Sequence, residues 1–336
     1  MKTKYYFKKY LTIYKALDKI CIGFVGNDDR YLEIENNKQN HDLLEKMLIN
    51  GISDEDLDKF PYNELKVKGF FENTEFISNS RSNLYLNYLL GKDESEEAKE
   101  QKILIFGAGA GGSTLIYLLA QFGFKNIHIV DFDDVENSDL FRVMTFDKAD
   151  IGNKKIESLR EKVKQNFCIN LNIHNANLFD KEELSDFITI LKPDFIVKAC
   201  DPKGLFLTNL NEICFRDQIP YIVMAYSYEL IKVGPLYVPS VTSCNEYLSN
   251  YASEVYGEHY KIEYFERMFG EYLFHPSISY NINILSSLIF KEILFFLLKQ
   301  YQYCQTIGRL VALYPLTLKT HNILISCNED CKICKI

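Results

Sequence analysis

Tryptophan is absent from the 336 residues, so any core must be built from the 24 Phe and 23 Tyr together with Ile and Leu. Nine cysteines are too few to staple a chain of this length. A disulfide scaffold is therefore excluded, and the thiols read as reduced in a cytoplasmic protein. No apolar signal region with a small-residue cleavage site follows the Lys- and Tyr-rich start, Met1 to Tyr10. Long uninterrupted apolar runs are lacking as well. Ile282 to Leu298 is broken by Asn283, Ser286, Ser287, Lys291 and Glu292, and reads as a buried helix with no membrane partner. Positive charge is in deficit: 38 Lys and Arg against 46 Asp and Glu leave a net −8, which argues against a nucleic-acid partner and allows only a local basic pocket. What is present is an ordinary globular balance, 47% apolar and 25% charged, at a length suited to about two domains.

The sharpest change of composition is Gly91 to Gln101, apolar only at Ala98, which reads as a solvated linker or an exposed helix start. Before it, Ile20 to Val25 and Tyr31 to Ile34 read as short strands around the turn residues Gly26-Asn27-Asp28-Asp29. Leu43, Leu44, Met47 and Leu48 give His41 to Ile49 a helical period. Ser53 is expected to cap a further short helix reaching Phe60, with Asp56 at its third position. Together these make a small winged-helix-like module. Beyond the linker, strands at Ile103–Phe106, Ile127–Val130, Phe195–Ala199 and Tyr221–Ala225 alternate with helices at Thr114–Phe122, Lys154–Asn166 and Leu205–Phe215. That alternation predicts an α/β domain with a doubly wound, Rossmann-like, mainly parallel sheet. The expected division is residues 1–78 and 79–336.

Chemistry concentrates where the first strand of this second part meets its helix. Gly107-Ala108-Gly109-Ala110-Gly111-Gly112-Ser113 lets backbone amides approach a phosphate, and the following helix start adds a favourable dipole. Asp131 ends the next strand, a position suited to a ribose hydroxyl. Arg142 and Lys155, the latter in Ile151-Gly152-Asn153-Lys154-Lys155, can bring cations to the phosphates of a nucleoside triphosphate.

In order, GAGAGGS, DFDDVENSDLFRV, IGNKK and the Asp201 of VKACDPK resemble the motifs of the ubiquitin-activating-like (ThiF/MoeB-type) adenylating family. The resemblance implies ATP, held by Gly107, Gly109, Gly111, Gly112, Asp131 and Asp133. It further implies catalytic roles for Arg142 and Lys155 on the triphosphate, for Asp201 as a Mg²⁺ ligand, and for Arg81 as a finger reaching the partner's site in a homodimer. Asn79-Ser80-Arg81-Ser82-Asn83 and Gly234-Pro235-Leu236-Tyr237-Val238-Pro239, with Thr242 and Cys244, are similar to elements of the microcin- and pantocin-type branch, which modifies ribosomally made peptides. That likeness implies a peptide-binding module over residues 1–78 and an adenylation domain over 79–336. The product would be a nucleotidylated or internally crosslinked precursor peptide. A non-catalytic scaffold presenting a precursor peptide, or a sulfur-carrier adenylyltransferase, are the alternatives.

Three positions depart from the family pattern: Asp139 replaces an Asn, Val143 replaces a Gln, and Pro202 follows Asp201 in place of an Asn. An added carboxylate beside phosphates is unfavourable unless it binds metal or turns away. Relatives commonly hold a structural zinc on two CxxC pairs, of which Cys331 and Cys334 survive and Tyr247 occupies the partner position of Cys244. Two readings stand: zinc on Cys244, Cys327, Cys331 and Cys334, or leftover thiols without metal. Cys21, Cys168 and Cys304 read as core residues, and Cys200 and Cys214 have no base beside them. His128, His174 and His321 read as structural. His259 and His275 belong to the aromatic, charged stretch at Tyr251 to Phe274, which is suited to a loop over a peptide.

Overall fold

The computed structural model describes residues 4–23, 30–73, 81–90, 95–178, 180–201, 205–227, 229–247, 276–326 and 331–334. The turn at 26–29, Asn79 and Ser80, the linker residues 91–94, Pro202, Cys327, and the 251–274 stretch with His259 and His275 lie outside them. The chain forms two compact units, Met1–Glu94 and Ser95–Ile336.

In the first unit, β1 (Lys4–Phe7) pairs antiparallel with β5 (Ile52–Ser53) and β6 (Phe71–Glu72). A second antiparallel sheet joins β2 (Ile13–Ala16), β3 (Lys19–Gly23) and β4 (Tyr31–Glu35). The β2 strand was not evident in the sequence, and it makes three strands of the expected hairpin. Alternating Ile20 and Ile22, with Leu32 and Ile34 opposite, face Leu44, Met47, Leu57, Leu65 and Phe70 in one core. Helices α1 (Lys38–Asn50), α2 (Asp54–Leu57), α3 (Tyr62–Val67) and α4 (Arg81–Leu90) complete the unit. Ser53 stands at the start of α2, but its hydroxyl reaches the Asp56 carboxylate at 3.4 Å and caps no amide. The helix stops at Leu57, ahead of Pro61, whose ring disfavours helix in the residue before it.

The second unit opens with α5 (Ser95–Lys99), where Ser95, Ala98 and Lys99 are buried, so this part of the charged stretch is packed. Lys99 lies over the Phe122 ring at 5.3 Å and pairs with Glu96. There follow β7 (Ile103–Phe106), α6 (Ala110–Phe122), β8 (Ile127–Val130), α7 (Lys155–Phe167), β9 (Asn172–His174), α8 (Lys181–Leu191), β10 (Phe195–Lys198) and α9 (Phe206–Arg216). After β11 (Tyr221–Ser227) come β12 (Leu230–Tyr237), α10 (Ser279–Leu297), β13 (Arg309–Tyr314) and β14 (Lys319–Leu324). The eight-stranded sheet has the order β14-β13-β12-β11-β10-β7-β8-β9. Pairings from β9 to β11 are parallel and those from β11 to β14 antiparallel. The doubly wound reading thus holds, with an antiparallel extension that the sequence did not announce.

β7, β8 and β10 carry buried residues at every position, as expected of strands covered on both faces. Helix α10, packed on α6, β11 and β12, is apolar and long enough by composition to cross a membrane, yet 50% of its apolar window is buried inside the protein. Cys21 is buried as expected and Cys304 half-buried, but Cys168 is exposed. It caps α7 at φ 58°, a left-handed position that turns the chain outward at the helix end.

Candidate functional site

Strands β8 and β9 lie on one side of β7, and β10 and β11 on the other, so the chain reverses direction across the sheet at β7/β10. Crevices at the carboxyl ends of strands flanking such a reversal are where α/β folds bind ligands. A cavity of about 300 Å³ opens there, bringing together Gly107, Gly109, Gly111, Asp131, Asp133, Arg142, Lys155 and Asp201.

The glycine loop is shaped by close backbone approach. Gly107 has φ +105°, and a Cβ there would lie 2.8 Å from the Cys200 nitrogen. A Cβ on Gly112 would lie 1.9 Å from the Gly107 carbonyl oxygen, so only glycine fits under the loop. Helix α6 starts at Ala110, earlier than the expected Thr114, because Gly111 and Gly112 form its first turn. Its leading N–H groups therefore face the cavity. From α10, Ser286 Oγ donates to the Gly111 carbonyl at 3.0 Å and fixes that turn from behind.

Asp131 accepts the Ala108 N–H at 2.6 Å on one oxygen and the Asp133 N–H at 2.8 Å on the other. Burial raises its carboxyl above the ordinary range, against the lowering effect of these amide bonds. Its own N–H donates to the His174 carbonyl at 3.3 Å, tying the loop to β9.

Asp139 sits behind the two cations. Its Oδ1 accepts from Arg142 Nη2 at 3.1 Å, and its Oδ2 stands 3.5 Å from Lys155 Nζ. The carboxylate does not turn away, which is one of the two outcomes expected of it. It is 1% exposed and paired with both cations, while the neighbouring Val143 is buried apolar packing.

Asp201 lies on the cavity rim with its carboxylate in solvent. Lys198 stands 3.8 Å from it with its own side chain 9% exposed. Sequence reasoning missed Lys198; the signal was a lysine closing an otherwise apolar strand, Phe-Ile-Val-Lys. Burial pushes the Cys200 thiol up to about 12, which suits a wall residue and not a nucleophile. Arg81 is exposed at the first position of α4, in the N-terminal unit.

A second cluster lies behind α9. Cys244, Cys331 and Cys334 place their sulfurs within 4.8 Å of one another, with Cys244 and Cys331 3.5 Å apart. Tetrahedral zinc thiolates sit about 3.8 Å apart, so these three thiols fit such an ion. Tyr247 packs against the same core, and Cys327 is outside the described residues. His128 and His174 are a stacked pair with ring nitrogens 3.1 Å apart, not isolated residues. Burial, then His174 and Lys102, hold the His128 ring down at about 4.

Residues 81–333 match the ThiF family model. The chain belongs to the ThiF family. Among ThiF-related proteins, SUMO-activating enzyme subunit 2 of Dictyostelium discoideum is 32% identical over 134 residues, 40% of this chain and 20% of that protein. The chain thus spans about a fifth of that relative's length. Two solved structures share its fold over nearly the whole chain. E. coli MccB with AMPCPP and MccA superposes with a TM-score of 0.73 at 20% identity, covering 98% of this chain and 99% of that one. PaaA superposes with a TM-score of 0.71 at 18% identity, covering 95% and 100%.

Proposed function

We propose that this ThiF-family chain is an ATP-dependent adenylyltransferase acting on a carboxylate or carboxamide of a ribosomally made precursor peptide, in peptide-antibiotic maturation. The observation carrying the reading is the convergence of Asp131, Arg142, Lys155 and Asp201 on one cavity at the glycine loop. The fold shared with MccB, a protein captured with both AMPCPP and the MccA peptide, supports it.

In this reading the α6 amides and glycine loop hold the phosphates, and Asp131 the ribose. Asp133, beside Lys155, belongs to the same nucleotide-binding set. A peptide oxygen attacks the α-phosphorus, the α–β P–O bond breaks, and pyrophosphate leaves. Arg142 and Lys155 offset the charge that gathers on the phosphoryl oxygens. Mg²⁺, which the exposed Asp201 carboxylate suits, would neutralise the departing pyrophosphate. Residues 1–78 would grip the peptide along a strand edge, and Arg81 would serve the partner site of a cytoplasmic homodimer. Zinc on Cys244, Cys331 and Cys334, with Cys327 as fourth ligand, would be structural.

Pyrophosphate release from ATP and precursor peptide tests the reading. Wild type should release it, and Lys155→Ala or Asp201→Ala should cut the rate by about 10²-fold or more. No release from wild type, or unchanged release from Asp201→Ala, would leave a peptide-presenting scaffold as the better account. The likeness to a SUMO-activating subunit favours a second reading, adenylation of a small carrier protein's C-terminal glycine. Release stimulated by such a protein and not by a peptide would select it.

A further inference from the structure

The chemistry around Asp139 bears on what the nucleotide site selects, and the inference rests on the adenylation reading above. Asp139 Oδ1 lies 3.1 Å from Arg142 Nη2 and Oδ2 lies 3.5 Å from Lys155 Nζ. Oδ2 also accepts the Glu136 N–H at 3.1 Å. These contacts hold both carboxylate oxygens, and the backbone of Asp139 is fixed as well. Its N–H donates to the Glu136 carbonyl at 3.0 Å, and its carbonyl accepts from Arg142 N–H at 3.0 Å and Val143 N–H at 2.8 Å. Asp133 Oδ2 adds a second carboxylate 3.6 Å from Lys155 Nζ. The two cations on the cavity wall are therefore each paired with carboxylate: Asp133 lines the cavity with them, and Asp139 is buried behind them.

A buried anion 2% exposed at its side chain is poorly screened by solvent, so any phosphate reaching Arg142 and Lys155 also meets its repulsion. That repulsion grows with the charge of the entering group. A triphosphate already chelated by a divalent cation carries less charge than a free polyphosphate and is penalised less.

We propose that Asp139 is a specificity-determining residue: a built-in counter-anion that makes the site favour metal-chelated triphosphate over metal-free polyphosphate, and so weakens retention of free pyrophosphate after reaction. An asparagine at this position would keep one neutral acceptor and leave a net positive pair of cations, and pyrophosphate would then compete better.

Calorimetric titration of the full chain tests this with two probes, AMPCPP with Mg²⁺ and inorganic pyrophosphate in EDTA. Asp139→Asn should bind metal-free pyrophosphate about tenfold tighter or more, and AMPCPP·Mg²⁺ within about threefold of wild type. The ratio of the two affinities is the decisive readout, since a merely structural defect would weaken both together. Pyrophosphate binding by Asp139→Asn that is unchanged or weaker overturns the proposal. Should that variant fail to fold, Asp133→Asn removes the more exposed of the two carboxylates and should tighten pyrophosphate in the same direction by a smaller factor; loosening overturns the proposal. If wild type binds AMPCPP·Mg²⁺ while the ratio does not move, only the counter-anion role fails. If wild type binds neither probe, the adenylation reading falls and this inference with it.

Discussion

Gly109 and Gly112 lie three residues apart, at the cap and in the first turn of α6, and carry different burdens. A methyl group on Gly112 would sit 1.9 Å from the Gly107 carbonyl oxygen, while one on Gly109 meets nothing within 4 Å. Gly112→Ala should therefore cost about 2 kcal/mol or more in urea unfolding, and Gly109→Ala should fall within about 0.5 kcal/mol of wild type. Equal losses would show that the close approach is not what fixes the loop. His128 sets a second residue-scale expectation. Its folded pKa, about 4, lies below the 6.5 of an unfolded histidine. The unfolded chain then binds the extra proton first, so stability present above about pH 6.5 is lost as pH falls toward 4. On the order of 1–3 kcal/mol should disappear between pH 7 and 4.5, and His128→Phe should flatten that fall. Carboxylates also titrate in this window, so the comparison between the two proteins carries the test.

At the scale of elements, Glu292 in α10 shows how a buried charge can organise a turn. It is 2% exposed and accepts from the N–H groups of Gln305 and Thr306 and from Thr306 Oγ1, with Lys291 beside it. Those bonds pin the segment leading into β13 against the helix. Glu292→Gln should lower stability by about 1–3 kcal/mol in a denaturant titration, and a neutral result would mean that packing alone holds the segment. Legibility from sequence divides along similar lines. β7, β8, β10 and β11 could be read because each is a short apolar run beside a helical period. β9 has a single aliphatic residue among Asn172, Ile173 and His174, and β14 is exposed at almost every position, so neither carries a periodic signal. Motif order located Asp131, Arg142, Lys155 and Asp201. The pairing of Asp139 with both cations, the support of Gly111 by Ser286 and the approach of Lys198 to Asp201 depend on local geometry or on distant segments folding back. Residue spacing does not report those contacts.

For the whole molecule, the two units each have a core of their own, and the nucleotide cavity belongs to the second. ATP with Mg²⁺ at 100 times its dissociation constant should stabilise that unit by about 2.7 kcal/mol, seen as slower hydrogen exchange in β7, β8 and α6. Exchange in these elements unchanged by ATP would contradict nucleotide binding at the glycine loop. Metal supplies a parallel test. One zinc per chain is expected, with Cys331→Ser or a strong chelator removing it and lowering the melting temperature. Zinc well below one equivalent in protein never exposed to chelator would leave the three thiols as packing residues. The placement of α10 has a further consequence, for the order in which the protein is made. The glycine loop, α6 and the parallel strands emerge from the ribosome well before residues 279–297, yet this helix covers α6 and the neighbouring strands and supplies the serine behind Gly111. Through much of synthesis the nucleotide half of the sheet must wait with an apolar flank uncovered, when chaperones have the most to bind. A ribosome stalled before Ser279 should hold a chain that captures them readily and binds no ATP, and both properties should reverse once Leu297 clears the exit tunnel.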